Sequence, residues 1–189
     1  MIKVFFCEYT GHQAFTKMWW CESCNNVGKR IEVARGPENL WDTIPFEDEP
    51  PVACERCGGS ARFSARGAMR VYRREDTGEE IVTLRDHPGA VFEDPEGAYD
   101  RRSRTRLFGT DGKCINVVLP NGSIWAVDSR ASNCTRIDDN LHKCWSRVGD
   151  GRNGVIHVDK SGNTCQAGAG SILSGEYHGF LHNGYLVSC

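Results

Sequence analysis

Four cysteines constrain this chain more than any other feature. Cys21 and Cys24 in "WWCESCNN" and Cys54 and Cys57 in "VACERCGG" form two C-x2-C pairs with twenty-nine residues between them. A two-residue gap lets both thiolates of a pair converge on one ion through a tight turn. The residue after the second cysteine then needs a backbone angle that Gly tolerates best and Asn next best. Gly58 and Asn25 occupy those two positions. Four thiolates from two such turns close a tetrahedral shell and leave no place for water. The expected cofactor is one structural Zn2+, bound by Cys21, Cys24, Cys54 and Cys57, whose binding energy is folding energy for the N-terminal third.

The rest of the composition supports metal over disulfides. The chain has ten cysteines in 189 residues, and no basic, then apolar, leader of the kind that marks a signal peptide. Paired C-x-x-C units in a chain read as not secreted point to metal first. The alternatives are buried free thiols or disulfides. The longest apolar runs, "IKVFF" and "INVVL", are strand-sized and far short of a membrane span. The expectation is a soluble protein not exported by a signal peptide, with no membrane partner.

Charge argues against a duplex-wrapping protein. Residues 1–59 carry six basic and nine acidic groups, 60–108 ten and nine, and 109–189 seven and seven, balances of −3, +1 and 0 that sum to −2. No third has the strong positive field such proteins need. A small contact patch stays open: Arg102, Arg104 and Arg106 in "YDRRSRTRLF" alternate. If extended, they make one basic face for nucleic acid or an acidic partner.

Turn chemistry outlines a β-rich chain. "MIKVFFC" reads as a buried strand, and a second strand falls near 29–34. The proline-rich "PENLWDTIPFEDEPPVA" reads as a loop or extended connector. Hairpins are expected at "MRVYRREDTGEEIVTL", at "CINVVLPNGSIWAVD" around Asn121–Gly122, within "GVIHVDKSGNTC", and at "YHGFLHNGYLVSC" around Asn183–Gly184. Residues 85–112, rich in Gly, Pro and charge, read as a linker or long surface loop. "DDNLHKCW" is the one short-helix candidate, with Asp138 or Asp139 as N-cap.

The C-terminal half offers weaker chemical signals. "LHKCW" (His142, Cys144) and "HVDKSGNTC" (His157, Asp159, Cys165) are the densest candidates for a second metal site. Cys134, His157 and Asp159 can be cast as nucleophile, base and orienter of a thiol or metal-dependent hydrolase, although no strand-to-helix nucleophile turn accompanies them. "CQAGAGSI" lacks the Lys-Ser/Thr of a phosphate loop, so no nucleotide is expected. Trp19 and Trp20 are placed to stack on a base or, as in most small modules, to cap a core.

Residues 1–73, with two cysteine-bearing turns beside β-hairpins, resemble a zinc ribbon with an enlarged loop between the turns. The last 55 or so residues, from "NCTRIDDNLHKCW" to "YHGFLHNGYL", resemble uncharacterised phage and prophage proteins through His178–Leu181 and Gly184. That resemblance implies a phage accessory or virion protein and brings no catalytic residue with it. The combined expectation is a mainly β chain in which 1–73 form a zinc-ribbon-like module. Residues 74–112 form a hairpin strand and linker, and 113–189 a small β-rich domain with one short helix. Its function is that of a non-enzymatic zinc-binding structural or interaction protein whose partner is another protein or a larger assembly. Nucleic-acid binding through the ribbon and Arg102–Arg106 is the alternative, beside the hydrolase.

Overall fold

Strands dominate the computed structural model of the chain. It describes residues 1–44, 50–101, 103–136, 138–139, 141–160, 165 and 171–189, the side chain of Trp41 aside. In chain order the strands are β1 (Ile2–Lys3), β2 (Phe5–Cys21), β3 (Asn26–Gly36), β4 (Val52–Ala53), β5 (Ser60–Arg74) and β6 (Glu80–Ile81). Then follow β7 (Ala90–Glu93), β8 (Ala98–Asp100), β9 (Thr105–Leu107), β10 (Ile115–Val118) and β11 (Ile124–Ala126). The last are β12 (Ser146–Gly149), β13 (Ile156–Asp159), β14 (Ile172–Ser174), β15 (Tyr177–His182) and β16 (Tyr185–Ser188). Short 3-10 helices at Glu38–Thr43, Leu84–Asp86 and Arg152–Gly154 are the helical segments among the described residues, and none is long and apolar enough to cross a membrane. The chain is mainly β.

Two compact units emerge, Tyr9–Val71 and the combination of Met1–Glu8 with Tyr72–Cys189, their boundaries falling within the long strands β2 and β5. In the Tyr9–Val71 unit β2 is flanked by β3 and β5, and β4 pairs with β5. The β2–β3 hairpin runs from Gln13↔Gly36 to Cys21↔Asn26, and β4–β5 from Val52↔Ala61 to Ala53↔Ser60. Each hairpin is closed by one C-x2-C turn. The small core here is Trp19, Cys21, Cys54 and Ala61, with Phe63 meeting Trp19 edge to face at 5.5 Å.

The other unit has a larger core, and strand alternation explains it. Val4 and Phe6 of the N-terminal segment, Val91 of β7 and Ile115 and Val117 of β10 join Trp125, Ile156, Val158, Ile172, Leu181 and Leu186 in one cluster. The residues between them, Cys7, Ala90, Phe92 and Val118, point to the opposite face and pack with Tyr72, Ile81 and Leu84. Strands β7 and β10 are therefore covered on both sides, which is why all four residues of "INVV", Asn116 included, are buried rather than alternating. Strand β7 pairs antiparallel with β10 and parallel with β2, at Phe5↔Ala90 and Phe6↔Val91. A separate antiparallel sheet runs β1-β16-β15-β14.

Several expectations need correction. The stretch 85–112, read as a linker, contains β7, whose Ala90 and Val91 are wholly buried. Its flanking Gly and Pro residues mark turns around a short core strand. Residues 138–145 form turns where they are described, not a helix. Asp139 Oδ1 accepts the Leu141 N–H at 3.1 Å, a local alternative that competes with helix. The Asp139 carbonyl accepts from Arg130 at 2.6 Å. The strand in "GVIHVDKSGNTC" pairs backward with β12, from Ser146↔Asp159 to Gly149↔Ile156, while residues 161–164 lie outside the described residues. The hairpins at 115–126 and 177–188 form as read, the second through Asn183 and Gly184 at φ 48° and 79°.

Candidate metal centres

The sulfur atoms of Cys21, Cys24, Cys54 and Cys57 lie within 4.8 Å of one another. Cys21 and Cys57 approach to 3.5 Å and Cys24 and Cys54 to 3.8 Å. A tetrahedral shell with metal–sulfur bonds of about 2.3 Å has sulfur–sulfur edges of about 3.8 Å, so the cluster has the size of such a shell. None of the ten cysteines is in a disulfide.

The local backbone brings the sulfurs together. Gly58 N–H donates to the Cys54 carbonyl at 2.8 Å and Cys54 N–H to the Gly59 carbonyl at 2.7 Å, closing the second turn. Glu55 N–H donates to the Gly28 carbonyl at 3.0 Å, tying that turn to the strand after the first. Gly28 is the extra residue of a bulge between Val27 and Lys29. A Cβ there would lie 2.9 Å from the Ala61 Cβ and 3.2 Å from the Cys54 sulfur. The Cys24 N–H lowers the Cys21 thiol to about 6, while burial and its neighbouring thiols push Cys24 up to about 12. A divalent cation would supply the positive charge that full deprotonation of the cluster requires.

A second cluster joins Cys134, His142, Cys144 and Cys165, again with all four ligand atoms within 4.8 Å. Cys165 and Cys144 approach to 3.7 Å, and the Cys144 sulfur lies 3.8 Å from His142 Nε2. The three cysteines are buried and His142 is 9 % exposed. Burial pushes the Cys144 thiol up to about 12. Burial, then the Arg136 charge, hold His142 below its ordinary value, in the neutral form that binds metal. Ala131 and Trp145 pack against the sulfurs. Arg130, with a side chain 1 % exposed, holds the loop: it donates to the carbonyls of Asp139 and His142 and pairs with Asp100 at 3.2 Å.

This second set differs from the one the sequence suggests. His142, Cys144 and Cys165 do meet, but the fourth candidate ligand is Cys134 rather than His157. His157 lies on β13, where its Nε2 is 3.5 Å from Asp159 and its ring stacks on His182 at 4.7 Å. Cys134, the candidate nucleophile, is thus grouped with the candidate metal ligands, while His157 and Asp159 pair with each other. The spacing C-x7-H-x-C-x20-C follows no common pattern; the one local signal was H-x-C, which sets two ligands on one side of an extended segment. Gly28 and Arg130 carried no signal, because their roles depend on partners 26 and 12 residues away.

Among the described residues, Arg104 and Arg106 do not share one extended segment. Arg102 lies outside the described residues, and Arg104 sits at the turn between β8 and β9 with φ 54°. Arg106, on β9, donates to the Gly97 carbonyl at 3.0 Å and lies over the Tyr99 ring. Trp19 is buried and Trp20 is 40 % exposed. Most of "CQAGAGSI" lies outside the described residues. Compared with protein-family models, curated proteins and solved structures, the chain has no match.

Proposed function

We propose that this is a non-enzymatic zinc protein whose two ions each organise one unit for binding a protein partner or joining a larger assembly. The observation that carries the reading is the pair of four-ligand clusters, one of four cysteines and one of three cysteines with a histidine, each gathered within 4.8 Å. Sulfur-rich tetrahedral sets favour zinc among the common divalent ions. A full set of four protein ligands leaves no open position for substrate or activated water, which supports a structural over a catalytic role. Exposed Trp20, Val27, Ile31 and Val33 in the Tyr9–Val71 unit favour a protein partner over nucleic acid. The resemblance of the C-terminal segment to phage and prophage proteins supports an accessory or virion setting.

Elemental analysis tests the reading. The wild-type chain should hold two zinc ions, and Cys54→Ser and Cys144→Ser should each hold one. A wild-type chain without zinc overturns the proposal, and one ion that only Cys54→Ser removes reduces it to the first centre.

A further inference from the structure

A cavity of about 430 Å³ opens beside the second cluster. One wall is built on the ligand loop. Ala131 and Trp145 line the cavity and also pack against the three cysteines. Asn133 and Trp145 stand next in sequence to the ligands Cys134 and Cys144. The half-buried Trp145 meets Trp125 edge to face at 5.2 Å and 89°. A second wall comes from β14, β15 and the residue before β14. It includes Ser171 and His178, whose Oγ and Nε2 lie 3.2 Å apart.

The charge of this lining selects a ligand class. Its cationic side chain, Arg130, is 1 % exposed and engaged by Asp100 and two loop carbonyls. No carboxylate lines the cavity among the described residues. A phosphorylated or otherwise ionic ligand would therefore lack an accessible counter-charge. Two indoles, Trp125 and Trp145, stand in the same lining as serine hydroxyls, the Asn133 amide and the His178 imidazole, a mixture matched by a ligand that carries both apolar and hydroxyl surface. A neutral pyranose presents hydroxyls at its rim and a face of polarised C–H groups, which suit the electron-rich face of an indole. The volume falls within the roughly 300–1,000 Å³ of small-molecule pockets.

We infer that this cavity binds a neutral saccharide, with Trp145 as its stacking platform and Asn133, Ser171 and His178 hydrogen-bonding its hydroxyls. The inference deepens the metal reading in one respect: an ion in the second centre fixes the positions of Asn133 and Trp145, so saccharide affinity depends on that ion.

The test is titration of the metal-loaded full chain with oligosaccharides of glucose, galactose, mannose and N-acetylglucosamine, followed by tryptophan fluorescence and calorimetry. At least one series should give saturable binding. Trp145→Ala should weaken it about tenfold or more, with metal content by elemental analysis unchanged. Ser171→Ala and His178→Ala, away from the metal ligands in sequence, should each weaken it about three- to tenfold. They decide the matter if Trp145→Ala loses its metal. No binding by any series at millimolar concentration, or full affinity in the Ser171 and His178 variants, overturns the inference. Should the isolated chain carry no metal at the second centre, the metal reading fails on its own, while the same titration still decides the cavity.

Discussion

Asn25 and Gly58 hold the same left-handed backbone, at φ 52° and 73°, one step beyond the second cysteine of each C-x2-C turn. The two turns differ in sequence and share this conformation because both must fold two sulfurs back toward one point. At Gly58 a Cβ would meet nothing within 4 Å. Any cost of substitution there is conformational.

Gly58→Ala should therefore lower stability by about 1 kcal/mol, Gly58→Val by more, and Gly58→Asn by less. Asn25→Gly should stay within about 0.5 kcal/mol of the wild type. Urea unfolding of the metal-loaded protein measures the series. A Gly58→Val midpoint equal to the wild type would show that the turn does not need this backbone.

Gly28 tests a different physical cause. Its place in the bulge puts any Cβ in contact with the Ala61 Cβ, the Cys21 Cβ at 3.1 Å and the Cys54 sulfur. Gly28→Ala should force the two ligand turns apart and weaken metal binding about tenfold or more, comparable to losing a residue that orients ligands. Chelator competition reads the affinity. The decisive comparison is with Gly58→Ala, which strains the backbone without crowding the sulfurs; equal affinities would remove the steric account.

What the sequence made legible follows the range of the interactions involved. The first cluster was readable because each pair lies within one turn, and the turn's need for positive φ shows in Asn25 and Gly58. The hairpin at Asn183–Gly184 was readable for the same local reason. Strand β7 was not, since Ala90–Glu93 is only four residues long and its burial comes from β10, β2 and a second core cluster. The fourth ligand of the second cluster was hidden as well. His157 and Cys134 are equally good ligand types, and only the pairing of β13 with β12 and the turns that place Cys134 beside Cys144 and Cys165 separate them. The helix expected at 138–145 shows a local signal overridden: Asp139 has capping chemistry, but Arg130 takes its carbonyl.

Arg147 joins two carboxylates that respond oppositely to pH. Its guanidinium holds Asp111 below the ordinary value, while burial pushes Asp128 up. A depressed carboxyl contributes stability above its unfolded value, near 3.9, and loses it as pH falls through the folded value. A raised one does the reverse, losing stability as pH rises from the unfolded value to the folded one. Asp111→Asn removes the first contribution and, through the loss of its charge, slightly lessens the second, whose main cause is burial. Between about pH 6 and pH 3 this variant should lose less stability than the wild type, by under about 1 kcal/mol because Asp111 is 42 % exposed. Urea unfolding across that range checks the sign; a steeper acid loss in the variant contradicts it.

The buried half of that network predicts a larger effect. Arg147 and Asp128 are 8 % and 6 % exposed and 3.0 Å apart. Arg147→Met leaves the Asp128 carboxylate with the Ile115 N–H, at 2.8 Å, as its principal partner. The cost should be about 3 kcal/mol at neutral pH, and adding Asp128→Asn should restore part of it by removing the unpaired charge. A double variant no more stable than Arg147→Met would mean that packing, not charge, accounts for the loss.

Arg130 separates the two centres experimentally. Its guanidinium fixes the carbonyls of His142 and Asp139 and is itself fixed by Asp100. Arg130→Gln should shorten that reach and loosen the loop that carries His142 and Cys144. Affinity at the second centre should fall about 10- to 100-fold, as for other residues that orient ligands from behind, with the four-cysteine centre unchanged. Stepwise chelator titration with zinc quantified at each step resolves the two ions. A uniform fall at both centres would indicate general unfolding, and no fall at either would show that the loop is held by its ligands alone. Asp100→Asn supplies an independent check. Asp100 also accepts from the Ser103 hydroxyl at 2.9 Å, so the substitution keeps the shape of that corner while removing the charge facing Arg130. Its effect on the second centre should run in the same direction and be smaller than that of Arg130→Gln.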